Sequence, residues 1–256
     1  MSAARDGREE CAVEFDPRLV EECVLLEVEH GTREERRAFR CERDPVYRVA
    51  DAEEREGHFR SLHARWFRRL RLDAPVFDAL RADPQVQRGC SRCVVVPARS
   101  ARDEGADLHA ARGAGGGAGP VLLIRLRPRT FLEPDRLARL LLRELLHVSD
   151  MLDPSFGYDP KALAAPAGDA GTPVENLLRD RYRALWDASV DGRLVREGVL
   201  PPEVEDDRRR EFLAAFPMLD SRAEEQFARF FHGPRPSHPE LRAFAARPPV
   251  VLERGA

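Results

Sequence analysis

Arg143-Glu144-Leu145-Leu146-His147 is the stretch whose reading decides the fold, and it lies inside PDRLARLLLRELLHVSDML, residues 134–152. Proline opens that segment and Asp153-Pro154 closes it, which is the punctuation of a helix of about five turns. Placed on a wheel at about 100° per residue, Leu137, Leu140, Leu141, Leu145, Val148, Met151 and Leu152 fill one broad arc, widened by Leu142 and Leu146. Arg136, Arg139, Arg143, His147 and Asp150 share the remaining stripe. A helix of this kind is buried on most sides. Glu144 breaks the pattern, because it falls inside the apolar arc between Met151 and Leu137. A carboxylate placed there is costly unless another group satisfies it.

Working outward, residues 121–127 read as an apolar strand just before this helix, and residues 93–97 as another, β-branched one. Between them, residues 112–120 are glycine-rich and read as a loop. No G-K-[ST] follows, so that loop is not a phosphate cradle. Upstream, Phe59, Leu62, His63, Trp66, Phe67 and Leu70 recur at three and four, predicting a helix over residues 51–72. A short helix is predicted over residues 75–82. Downstream, residues 154–171 are rich in Pro, Ala and Gly and read as a loop. Thr172-Pro173-Val174-Glu175 then has the form of a capping box, with Glu175 explained by it. The helix it opens is predicted to stop at Asp191-Gly192. Residues 202–246 read as two or three short helices, and residues 24–29 fit strand or helix equally. The predicted fold class is α+β, mostly helical, with a small sheet preceding the central helix. The domain reading is an amino-terminal segment, residues 1–50, ahead of one domain over residues 51–256.

Arg143-Glu144-Leu145-Leu146-His147 resembles the H-E-x-x-H helix of the zincin metallopeptidases, with Arg143 where the first histidine belongs. The strand before it, and the helix with acidic residues after it, follow the same order. His147-Val148-Ser149-Asp150-Met151-Leu152-Asp153-Pro154, Leu185-Trp186-Asp187 and Asp191-Gly192-Arg193-Leu194 are similar to a group of bacterial zincin-like proteins. The resemblance implies a zincin-like fold, with Glu144 in the place of the general base and His147 in that of the second zinc ligand. It leaves two sources for a third ligand. Asp153, six residues after His147, has metzincin spacing, although those families place glycine where this chain has Asp150. Asp187 and Asp191, one turn apart on the next helix, have the gluzincin or aspzincin arrangement.

Arg143 departs from that pattern. A guanidinium stays protonated and has no lone pair for a metal, so zinc is expected to be weak or absent. Three functional expectations follow. The first is a non-catalytic zincin relative, in which the charge of Arg143 pairs with Asp187, Asp191 or Glu144. The second is an active zinc hydrolase with an unusual ligand set, drawing on His147, Asp187 and a further residue such as His63. The third is a helical protein-interaction module. His63 also fits a hydrogen-bonded core histidine, whereas His30, His58 and His109 read as surface residues and His232 and His238 as loop residues.

Composition narrows the classes. A net charge of −3 gives no reason to expect nucleic acid or an anionic membrane as partner, and a peptide or protein partner is what the metallopeptidase resemblance implies. Lys161 is the only lysine. Arginine forks suit phosphate, but here they alternate with acids along helices and read as solvated faces. No apolar run suits a secretion signal or a membrane span, so a cytoplasmic protein is expected. Its five cysteines are then expected to be thiols. Cys90-Ser91-Arg92-Cys93 is a lone C-x-x-C leading into a strand, and a structural zinc site would need a second pair.

Overall fold

Asp16-Pro17 settles the stretch that fits strand or helix equally. In the computed structural model, which describes residues 11–109, 119–163 and 172–249, the Asp16 carboxylate accepts from the amides of Arg18 and Leu19. Proline takes the first helical position, so α1 runs Pro17–His30 with residues 24–29 inside it. The glycine-rich loop expected over residues 112–120 lies outside the described residues from 112 to 118. The loop expected over residues 154–171 lies outside them from 164 onward.

The chain divides into two compact units, with the boundary inside a helix after Val148. In the first unit β1 (Ala12–Phe15) leads into α1. Helices α2 (Arg33–Arg43), α3 (Ala52–Arg69), α4 (Ala74–Ala82) and α5 (Pro84–Gly89) follow. Then come β2 (Arg92–Pro97), β3 (Gly105–His109) and β4 (Val121–Leu126), before α6 (Pro134–Leu152). The strand order is β1-β2-β4-β3, with β3 at an edge. β2 is parallel to both β1 and β4, whereas β3 is antiparallel to β4, pairing Gly105 with Arg125 and His109 with Val121. Alternate residues of the strands are buried, among them Cys93, Val95, Leu122, Ile124 and Leu126, as a one-sided core requires. α1 contributes Leu19, Cys23 and Val24 to that core, α3 contributes Leu62, Trp66 and Phe67, and α6 contributes Leu137, Leu141 and Leu145.

The second unit is helical. After the end of α6 it contains α7 (Pro173–Arg196), α8 (Val204–Ala215), α9 (Ala223–Phe231) and α10 (His238–Ala246). Phe212, Phe216, Phe227, Phe230, Phe231 and Phe244 build its core, with neighbouring rings 4.8 Å (Phe212–Phe216), 4.9 Å (Phe230–Phe244) and 5.3 Å (Phe227–Phe231) apart. The fold class is therefore α+β, mostly helical, with a small mixed sheet. Among the described residues, no helix is long and apolar enough to cross a membrane.

Two sequence expectations are corrected here. The stop at Asp191-Gly192 does not exist, since α7 continues to Arg196. Gly192 serves close packing instead: a Cβ on it would lie 1.9 Å from the Phe231 carbonyl oxygen. His238, read as a loop residue, is buried at the start of α10, with Nδ1 2.7 Å from the Tyr182 hydroxyl.

Candidate functional site

The wheel of α6 left Glu144 inside an apolar arc, and the fold supplies its partner. The backbone N–H of Ala106, on edge strand β3, donates to Glu144 Oε2 at 3.1 Å. Gly105 has φ +156°, a conformation that L side chains rarely adopt, and a Cβ there would stand 3.0 Å from the same oxygen. The carboxylate thus occupies one of the outward-facing amides of the edge strand. His147, one turn further along α6, is buried, and Arg143 is half-buried.

Below this contact Glu104, just before β3, anchors the edge strand from a buried position. It accepts from the Arg127 amide and guanidinium, each at 3.0 Å, and from the Thr130 hydroxyl. Arg136 of α6 adds an ion pair at 3.2 Å. Burial pushes the Glu104 carboxyl up, but the hydrogen bonds from Thr130 and Arg127 outweigh it and hold the group below the usual carboxylate range.

Glu144 and His147 belong to the first unit, and the aspartates singled out in the sequence belong to the second. Asp187 and Asp191, both buried, share one guanidinium from α8: Arg208 Nε lies 2.7 Å from Asp191 Oδ2, and Arg208 Nη1 lies 3.6 Å from Asp187 Oδ2. Glu211, one turn along α8, pairs with the same arginine. The structure therefore brings Asp187 and Asp191 together, with a cation supplied by the chain itself.

Asp150 is more tightly held. Its side chain is 1% exposed and receives the Arg193 fork at 2.9 and 2.5 Å, the Trp186 indole N–H at 2.9 Å and Arg235 at 3.4 Å. α6 continues through Asp150 to Leu152, so the turn that a metzincin-type third ligand follows is absent at this position. Asp153 is engaged separately, by Arg235 Nη2 at 2.6 Å and the Ser155 amide at 2.8 Å. The hydrogen bond from Arg235 is the main reason its carboxyl is pulled down to about 2.

The remaining candidates resolve into structural roles. His63 is buried between Phe39 and Phe59, with ring centroids 6.0 and 6.1 Å away and Glu21 at 4.0 Å, which makes it a core histidine. Burial lowers its pKa. Cys90 and Cys93 are buried thiols, and burial pushes Cys90 up to about 12 and Cys93 higher still, so neither is poised for thiolate chemistry. Thr172 accepts from the Glu175 amide as the capping reading expected, while the buried Glu175 carboxylate pairs with Arg179.

Within the helical unit, the candidate aspartates face arginines rather than an open position for zinc. A tetrahedral site needs three or four deprotonated ligands converging on one point. Among the described residues, no group of three or more His, Cys, Asp or Glu is placed to hold a metal. The carboxylates one would recruit already face guanidinium groups. Sequence reasoning missed Arg208 and Arg235, whose partners lie far away along the chain and have no local signature. Arg193 was visible within Asp191-Gly192-Arg193-Leu194, although its partner was not. No protein-family model, curated protein or solved structure matches the chain.

Proposed function

We propose that the protein is a non-catalytic relative of the zincin metallopeptidases, in which arginine has taken over the charge balance that a metal would provide. The observation that carries this reading is Arg208, whose guanidinium lies against both Asp187 and Asp191. Arg143 in place of the first ligand supports it, since a permanent cation and Zn²⁺ exclude each other electrostatically. Glu144, the group that would activate water in a working enzyme, instead accepts a backbone hydrogen bond from Ala106. A peptide or protein segment, held without being cleaved, is the partner in this reading.

The test is zinc content by elemental analysis, on protein purified without a metal-affinity tag. Wild type is expected to hold far less than one equivalent, and Arg143→His, alone or with Arg208→Gln, to approach one. A wild type already loaded, losing its zinc in His147→Ala, would replace this proposal with that of an active hydrolase. If the double variant also stays empty, the kinship with zincins is wrong.

A further inference from the structure

α2 presents a face of four exposed arginines. Arg33, Arg36, Arg37 and Arg40 follow one another at helical spacing and line a shallow cavity of about 310 Å³ together with Cys41 and Asp44. Like charges three and four residues apart on a helix repel and cost stability. At several other arginines an acid stands one turn away, as in Arg60 with Glu56, Arg209 with Glu205 and Arg210 with Asp207. Glu34, exposed one turn before Arg37, forms no ion pair among the described residues, and the other acids on and beside α2 are engaged elsewhere. Glu35 closes the capping box with Thr32, Glu42 pairs with Arg65 and Arg69 of α3, and Asp44 pairs with Arg43. Arg36 donates to the Glu29 carbonyl. Among the described residues, Arg33, Arg37 and Arg40 have no ion-pair partner, and all three are exposed.

We propose that this arginine face of α2 is a binding site for a small oligophosphate anion. Guanidinium forks match phosphate oxygens in pairs, and several along one helix face match a short chain of phosphates. From Arg33 to Arg40 the helix rises about 10 Å, the reach of a few linked phosphates rather than of a duplex. The cavity lies at the lower end of small-ligand sites, roughly 300–1,000 Å³. A chain with net charge −3 has no long-range pull on a polyelectrolyte, whereas a local cluster suffices for a small anion.

Cys41 at the rim supplies an internal reporter, as the other four cysteines are buried. The full chain is titrated with inorganic tripolyphosphate by calorimetry, and Cys41 alkylation by neutral iodoacetamide is followed in parallel. Saturable one-to-one binding and slowed alkylation are expected. Arg37→Gln/Arg40→Gln is expected to weaken binding about tenfold or more, while Arg60→Gln leaves it unchanged. The proposal is overturned if sulfate at equal ionic strength protects Cys41 equally, if the double variant binds as wild type does, or if no saturation occurs. Tighter binding of a single-stranded oligonucleotide than of tripolyphosphate also overturns it. Should the double variant misfold, the wild-type comparison of tripolyphosphate with sulfate decides.

Discussion

Gly192 and His238 show how far single positions depend on what lies across from them. Gly192 sits inside α7, where glycine normally weakens a helix, yet the Phe231 carbonyl leaves no room for a Cβ. Gly192→Ala is expected to lower unfolding free energy by about 3 kcal/mol in urea titrations. Gly57, in α3, is the counterpart, since a Cβ on it would meet nothing within 4 Å. Gly57→Ala is expected to stabilise by roughly 0.5–1 kcal/mol through helix propensity alone. For His238, burial lowers the pKa, with Arg242 acting in the same direction and Asp159 opposing. Its unfolded form takes up a proton below about pH 6.5 while the folded form resists. Stability from this residue is therefore fully present above that pH and lost as pH falls through the window beneath it. Trp186 fluorescence should report a lower urea midpoint at pH 5.5 than at 7.5, and His238→Gln should flatten that slope. An unchanged slope would assign the pH dependence to another group.

Among the elements, α6 was legible from the sequence and β3 was not, for reasons of pattern. α6 runs Pro134–Leu152, the bounds its proline, apolar arc and Asp153-Pro154 predicted, and the misfit of Glu144 marked a real contact. β3 reads Gly-Ala-Asp-Leu-His, too short and polar for strand periodicity, and it exists because β4 offers it an edge. The end of α7 was misread because glycine after aspartate signals a stop locally, while the reason for Gly192 lies at Phe231. The arginine partners of Asp150, Asp187 and Asp191 were invisible for the same reason, being far away in sequence. Glu104 ties β3 to β4 and α6, so its loss should release the edge strand. Glu104→Gln is expected to cost about 2 kcal/mol and to speed amide exchange in Gly105–His109. Asp107→Asn, which breaks only the exposed pair with Arg125, should change stability by less than about 0.5 kcal/mol. Equal effects would deny Glu104 its anchoring role.

For the molecule as a whole, the two units have different kinds of core, one around a sheet and the other around phenylalanine rings. The chain has two tryptophans, Trp66 in the first unit and Trp186 in the second. Trp66→Phe and Trp186→Phe thus give proteins whose fluorescence follows one unit at a time. The guanidinium of Arg208 has a consequence at this scale. On the proposed reading, a cation written into the polypeptide is present from translation onward, and the helical unit is expected to mature without metal delivery and to survive scarcity of trace elements. The thermal midpoint followed by Trp186 should accordingly be the same with and without EDTA, and protein made in zinc-depleted medium should fold as well as protein made in rich medium.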